Sequence, residues 1–350
     1  MLSAALLSVV TAAPPHVLPQ TEVAAVARSL FSGRYTDFDR LSAVFTTAGI
    51  HTRRSVRPLD WFLEPRGWSE RTEAYLRGAQ DLFVEAARQA LGAAGLDPAD
   101  VDSVVTVSST GIATPSLEAR AHKELGFRED VSRVPVFGLG CAGGVSGLSI
   151  AARLAEARPG SVVLLVALEL CTLAFRPDKL TKASIVATAL FGDGAAACVL
   201  RAGGEEGLAR VRGAGEHIWP DTLDIMGWNV DPQGFDVVFA RAIPPFAERR
   251  MGPAVAGILD RLGLEPAEIG RFVCHPGGRK VVEALETAFG LQPGALDCER
   301  AVLAEYGNMS APTVFFVLEG VLAQARPDRL ALTALGPGFT ASTVVLEGAA

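Results

Sequence analysis

Three short segments of the 350-residue chain carry side-chain types that can do covalent chemistry. The first, Gly138-Leu-Gly-Cys141-Ala-Gly-Gly144-Val-Ser-Gly147, sets one cysteine among glycines, between a predicted strand and a predicted helix. Glycine there permits a sharp turn and close backbone approach. A cysteine at a helix N-terminus gains from the positive end of the helix dipole, which favours the thiolate. It also lies beside free N–H groups that can hold an oxyanion. The alternative is a buried structural cysteine beside a packing turn. In the second segment, Phe272-Val-Cys274-His275-Pro276-Gly277-Gly278, a strand is predicted to end at His275 and Pro-Gly-Gly to turn the chain into a helix. Cys274 then points to the other face of the strand and serves a different environment. A satisfied turn histidine is the alternative; His16, His51, His122 and His217 lack such a setting. The third, Glu305-Tyr-Gly307-Asn308-Met309-Ser310-Ala-Pro312, precedes an apolar helix predicted over 313–322. Its simplest reading is an N-cap or turn asparagine.

A thiolate paired with a histidine is an activated nucleophile, and an amide can orient the base or bind a developing oxyanion. Together the three imply acyl transfer. Papain-like proteases also run Cys, His, Asn, with the histidine about 130–150 residues after the cysteine. Here the gap is 134 residues, so spacing alone does not reject a protease. The local sequence does, because C-G-[SA]-C-[WY] is absent and Cys141 lies mid-chain.

These segments sit at the joints of alternating strand and helix patterns. Leu76, Ala79, Leu82, Phe83, Ala86, Ala87, Ala90 and Leu91 recur at helical steps. Strands are predicted at 3–10, 104–107, 134–137, 162–168, 195–200, 272–274, 331–335 and 343–346. Further helices are predicted at 145–157, 253–262 and 280–289. The polar, glycine-rich stretch 201–207 divides the chain into an N-terminal half, 1–202, carrying the cysteine, and a C-terminal half, 203–350, carrying the histidine and asparagine. No internal repeat is legible at the residue level.

Composition narrows the classes. Apolar residues make up 49% and charged residues 20%, which excludes a disordered chain. A net charge of −7 argues against a nucleic-acid binder. Five scattered cysteines with no C-x-x-C pair give no zinc ribbon or thioredoxin-like site, and they fit a reducing, cytoplasmic setting. The apolar start has no Lys or Arg before Arg28 and breaks at Pro14-Pro15, so it reads as a buried strand rather than a signal peptide or membrane span.

The chain resembles the type III polyketide synthases, the chalcone and stilbene synthase family within the thiolase superfamily. The matching residues are Gly140-Cys141-Ala-Gly-Gly144, Leu190-Phe-Gly-Asp-Gly-Ala-Ala196, His275-Pro-Gly-Gly278, Gly307-Asn-Met-Ser310 and Gly336-Pro-Gly338. Ketoacyl-ACP synthase III, a neighbouring family, differs around its histidine and asparagine. The resemblance implies an α/β, five-layered αβαβα thiolase fold built from two similar halves and working as a homodimer. It implies Cys141 as the acyl-carrying nucleophile, with His275 and Asn308 binding the thioester carbonyl of malonyl-CoA and stabilising the enolate formed on decarboxylation. Phe191 takes the gatekeeper position between the CoA tunnel and the cavity. Substrates are free CoA thioesters, with no metal, no redox cofactor, no nucleic acid and no membrane insertion.

Ser109, Cys171 and Ala174 stand where plant chalcone synthases carry cavity threonines, and Val237 replaces a second gatekeeper phenylalanine. Ser310 and Gly338, within the matching motifs, are further candidate substrate contacts. Met226-Gly-Trp228 and Asp60-Trp-Phe-Leu-Glu-Pro-Arg66 look like the bacterial alkylresorcinol and alkylpyrone synthases, which extend long fatty acyl starters. Arg40 matches a position at the CoA tunnel mouth, and Arg53, Arg54 and Arg57 cluster nearby; a solvated basic face is the alternative. The leading expectation is a fatty acyl-CoA starter, malonyl-CoA extension and release as an alkylpyrone or alkylresorcinol. Alternatives are a malonyl-CoA-only synthase of naphthol or phloroglucinol type and a Cys-His-Asn acyl-thioester hydrolase. A non-catalytic scaffold is opposed by the intact Cys141, His275 and Asn308.

Overall fold

The segment Val162–Leu170, apolar except for Glu169, is buried along its whole length, as a strand covered on both faces must be. The computed structural model describes residues 3–33, 35, 38–179, 181–204, 207–324 and 327–348. In chain order its strands are β1 (Ala4–Ala12), β2 (His16–Pro19), β3 (Thr52–Ser55), β4 (Val101–Val107), β5 (Ser132–Val136), β6 (Val162–Leu170) and β7 (Asp193–Ala202). Then follow β8 (Ala209–Ile218), β9 (Met226–Asp231), β10 (Gly234–Phe239), β11 (Arg271–Cys274), β12 (Arg329–Gly336) and β13 (Thr340–Gly348). Nine of them form one mixed sheet in the order β11-β12-β13-β8-β1-β7-β6-β4-β5.

That order contains a repeat which the residues do not reveal. β1 runs antiparallel to β7, β7 antiparallel to β6, and β6 and β5 both run parallel to β4. The second half repeats the pattern, with β8 antiparallel to β13, β13 antiparallel to β12 and β12 parallel to β11. The halves join through β1 and β8 at only two residue pairs, Ala5 with Arg210 and Leu6 with Ala209. The stretch 201–207 connects β7 to β8; its residues 205 and 206 lie outside the described residues.

Layers follow from which faces are apolar. Helices Trp68–Ala93 and Leu117–Leu125 cover the outer face of the first half. Helices Ile243–Arg261 and Arg279–Ala288 cover that of the second. Helices Gly143–Ala157 and Thr313–Gln324 lie between the halves in one shared core with residues of both. The result is the five-layered αβαβα thiolase-like fold.

Most predicted elements appear with longer ends. The helix read at 253–262 begins ten residues earlier, at Ile243, and carries Pro253 in its interior. An interior proline costs one helical hydrogen bond, but here buried Ala247, Met251, Ala254, Val255 and Ile258 hold the continuous helix to the core on both sides of Pro253. The strand read to His275 stops at Cys274. The β9–β10 hairpin, paired only with itself, was not anticipated, although its Asp231-Pro-Gln-Gly234 connection has turn chemistry. Among the described residues, no helix is long and apolar enough to cross a membrane.

The central layer depends on one close approach. A Cβ placed on Gly144 would lie 2.2 Å from the backbone oxygen of Ala311, across the boundary between halves. Gly144→Ala should therefore cost about 2 kcal/mol or more, because backbone cannot step aside as a flexible side chain can. Gly92→Ala, with no atom within 4 Å of the added carbon, should be neutral or gain up to about 1 kcal/mol of helix propensity. Urea unfolding of the two variants checks this; equal midpoints would overturn it.

Candidate active site

Cys141 lies on the single turn Gly140–Ala142 that leads into the helix Gly143–Ala157. Gly140 has φ +47°, and a Cβ on it would fall 2.7 Å from Pro337 Cδ, so the cysteine loop is pressed against the Gly336-Pro-Gly338 turn. Ser109 Oγ fixes the loop from the other side, accepting hydrogen bonds from the N–H groups of Gly138 at 3.1 Å and Gly140 at 3.3 Å.

His275 follows β11 directly, and its backbone N–H donates to Thr333 O at 2.9 Å. Its ring is buried, and neither nitrogen has a hydrogen-bond partner. Two unsatisfied polar atoms are costly in a closed pocket, so their presence marks a place where a ligand's polar group fits. Asn308 is five residues ahead of the helix Thr313–Gln324 and does not cap it. Instead Asn308 N–H donates to Leu190 O at 2.8 Å, and Gly192 N–H donates to Asn308 O at 3.0 Å. Its side-chain amide donates to Gly277 O at 3.2 Å, while Oδ1 accepts from Ser310 N–H at 2.8 Å. Ser310 holds φ +61°, a strained conformation for a residue with a Cβ. Cys141, His275 and Asn308 line one cavity, joined by Met226 and Phe239 of the hairpin. The structure thus brings the three predicted residues together from two halves of the chain.

Burial governs their protonation. It pushes the Cys141 thiol up to about 11, against hydrogen bonds from Ser310 and Asn308 that favour the thiolate. It pulls the His275 imidazole down to about 4. A proton passed from thiol to imidazole would create an ion pair at no change of net charge.

A second cavity adjoins Cys141, and Ser109, Cys171, Phe191, Trp228, Val237 and Ser310 all line it, as does Pro337. Ala174 lines a third, apolar cavity that shares Cys171, Phe191 and Val237 with the second. Phe191 stands between them, edge-on to Trp228 at 6.3 Å and to Phe239 at 6.4 Å. Gly338 follows Pro337 with φ +95° and lines none of these three cavities, so the structure does not bring it to the site. Arg40 is exposed on the short helix Phe38–Ser42.

Arg53 corrects one expectation. Its side chain is 2% exposed and donates to the backbone oxygens of Thr188 at 2.5 Å and Ala189 at 2.9 Å, and to Gln20 Oε1. It ties β3 to the end of the helix Lys182–Leu190, so it is not part of a basic surface. Strand alternation explains why: Arg53 and Arg54 are neighbours on β3 and face opposite ways.

Glu169 was missed. It ends the apolar run of β6, and a carboxylate inside such a run was the available signal. The residue is fully buried; its carboxylate accepts from Ser109 N–H at 2.9 Å and Thr110 Oγ1 at 2.7 Å. Burial pushes its pKa up to about 7 against those hydrogen bonds. Asp193, in the Leu-Phe-Gly-Asp-Gly motif, is likewise buried and raised to about 6 while it accepts from Val56 N–H and Thr172 N–H. Among the described residues, no group of three or more His, Cys, Asp or Glu is placed to hold a metal ion.

Because Glu169 binds its proton more tightly folded than unfolded, the stability it contributes is complete below about pH 4.5 and is lost as pH rises towards 7. Asp193 acts in the same direction. Glu169→Gln should therefore flatten the fall in unfolding free energy between pH 5 and 8, by on the order of 2–3 kcal/mol. Urea titrations of both proteins at the two pH values measure it, and parallel pH slopes would sink the assignment.

The comparisons with known proteins agree with this geometry. The family model for chalcone and stilbene synthases, N-terminal domain, matches residues 66–204, and that for the C-terminal domain matches residues 210–350. A 1,3,6,8-tetrahydroxynaphthalene synthase of Streptomyces peucetius subsp. caesius is 40% identical, covering 96% of this chain and 91% of that one. A Bacillus subtilis (strain 168) protein bearing a chalcone synthase name is 35% identical over 98% of both chains. The crystal structure of the 1,3,6,8-tetrahydroxynaphthalene synthase of Streptomyces coelicolor A3(2) superposes with a TM-score of 0.93 at 29% identity, covering 99% of each chain. A thioester hydrolase is accordingly not favoured. With one cavity lined by cysteine, histidine and asparagine and with family models matching both halves, the chain belongs to the chalcone and stilbene synthases, the type III polyketide synthases, a family of acyl-transferring condensing enzymes.

Proposed function

We propose that this synthase extends a fatty acyl-CoA starter with malonyl-CoA and closes the product to an alkylpyrone or alkylresorcinol. The carrying observation is the third cavity. It runs from Cys171, Phe191 and Val237 to Leu18, Val23 and Phe62 of the N-terminal segment, and its walls are mainly apolar. An alkyl chain gains about 0.8 kcal/mol for each CH₂ it buries there.

In this reading Cys141 passes its proton to His275, takes the starter as a thioester and releases free CoA. Malonyl-CoA then places its thioester carbonyl against His275, neutral again, and Asn308. Its carboxylate leaves as carbon dioxide, and the electron pair of the broken C–C bond becomes the enolate those donors hold. The enolate carbon attacks the acyl thioester, and Cys141 departs as thiolate. The unpartnered ring nitrogens of His275 support its role, since no internal bond must break before substrate binds. We propose CoA thioesters as the substrates, without metal or redox cofactor. The CoA phosphates would meet Arg40, Arg54 and Arg57; the Nε atoms of Arg54 and Arg57 are buried without partners. A homodimer, proposed here as cytoplasmic, would cover the outer edge of β5, where the following residue Phe137 is 57% exposed.

A second reading has its own support, since the 40% identical relative is named for a naphthalene product. There, malonyl-CoA serves as both starter and extender.

Purified protein given malonyl-CoA with acyl-CoA starters of graded length should give pyrone or resorcinol masses that follow the starter. Cys141→Ala should abolish extension, and Asn308→Ala should slow malonyl-CoA decarboxylation about 100- to 1000-fold. A single product mass unaffected by any starter would replace the first reading with the second.

A further inference from the structure

The β9–β10 hairpin forms much of the cavity wall. Met226, Trp228, Val237 and Phe239 project from it into the spaces around Cys141 and Phe191. Yet its strands hydrogen-bond only to each other, so no neighbouring strand fixes its distance from the cavity. What fixes it must be side chains.

Two contacts do so. Phe235 packs against Trp68 of the outer helix at 5.8 Å and against Trp228 of its own hairpin at the same distance. On the other side lies an ionic cluster. Arg176 is 3% exposed and places Nη1 3.0 Å from Asp231 Oδ1, at the end of β9. Its Nη2 is 2.5 Å from Asp178 Oδ2. Lys179 Nζ lies 3.0 Å from Asp231 Oδ2 and 3.3 Å from Asp236 Oδ2 on β10. Asp231 Oδ1 also accepts from Gln233 N–H at 2.8 Å, which ties the turn to the same carboxylate.

The partner segment is itself cavity wall. Residues 171–179 begin with Cys171 and Ala174 and end with the cluster's basic residues. Arg71 pins that segment from behind through the backbone oxygens of Leu173 and Phe175. Two walls of one cavity are thus held at a set separation by ion pairs away from Cys141; Arg176 and Asp236 themselves line the apolar cavity, whereas Asp231 and Lys179 do not. A buried guanidinium is costly to leave unpaired, so this separation is strongly specified.

We propose that the Arg176–Asp231–Lys179–Asp236 cluster is a positioning device that sets the depth of the polyketide cavity, and so how many malonyl units are added before the chain closes. The inference rests on the synthase reading above. It makes Asp231 a specificity determinant that touches no substrate and acts through Trp228 and Val237.

The test compares Asp231→Asn, which removes the charge and keeps the shape, with Asp231→Glu, which keeps the charge. Products are quantified by mass spectrometry, and malonyl-CoA decarboxylation without starter is measured separately. Asp231→Asn should raise the ratio of product with one extra malonyl unit to the wild-type product by about threefold or more. Asp231→Glu should restore the wild-type ratio, and decarboxylation should stay within about twofold in both, because Cys141, His275 and Asn308 are untouched. If Asp231→Asn does not fold, Lys179→Met, at the exposed end of the cluster, should shift the ratio in the same direction by a smaller factor. An unchanged ratio in a folded variant overturns the proposal, as does a loss of decarboxylation in step with all products. A wild type that makes no polyketide overturns the proposed function and this inference together; a productive wild type with an unresponsive variant overturns this inference alone.

Discussion

The structure depends on two backbones touching where no side chain fits. Helix Gly143–Ala157 presents Gly144 to the carbonyl of Ala311, at a separation that even a methyl group would violate. That contact brings the end of β5, which leads to Cys141, against the loop that carries Asn308 and Ser310. The halves otherwise meet in the sheet at only two residue pairs. Hydrogen bonding between β1 and β8 is therefore too little to define their relation, and the packed central helices must do it. The cysteine belongs to one half and the histidine and asparagine to the other, so the site exists only in the docked arrangement.

Around this seam the protein spends its buried polar groups on ties. Glu169 gathers the backbone and hydroxyls of residues 108–110, and Ser109 in turn holds the cysteine loop. Asp193 joins the β3 segment to the turn at Cys171 and Thr172. Arg53 clasps the end of the helix that leads to Phe191. Glu169 and Asp193 have their carboxylates bonded inside the fold and Arg53 bonds through both terminal nitrogens, whereas His275 is left with both ring nitrogens unpaired. Within the cavity that also holds Cys141 and Asn308, it is the imidazole whose polar atoms are left open, and this marks the binding position against its scaffold.

Much of this was legible in the residues. Glycines flanking Cys141, Pro-Gly-Gly after His275 and the turn at Asn308 are local features, and local chemistry declares itself in sequence. Two α/β halves followed from alternating periodicities, and the αβαβα layering from the resemblance alone. Other features were hidden because they depend on distant partners. Nothing near Arg53 says that it turns inward while Arg54 turns outward; the pairing of β3 with β2 decides it. The function of Glu169 needed Ser109 and Thr110, some sixty residues away. Asn308 looked like a helix cap and proved to be a bridge between Leu190, Gly192 and Gly277. The hairpin escaped because its strands alternate weakly and are half-exposed, so neither a polar nor an apolar face stood out.

The central place of β1 has a consequence for biosynthesis. This strand is made early, yet it lies in the middle of the sheet, paired to β7 and β8, which follow roughly 190 residues later in the chain. At about 5–20 residues per second, a ribosome needs some tens of seconds to supply those partners. Through that interval the apolar stretch Ala4–Ala12 has no sheet to join. The nascent chain therefore presents an apolar, β-prone segment for as long as those partners are still to be made. It is the natural grip for a chaperone, and the place where crowding of unfinished chains would first cause clumping.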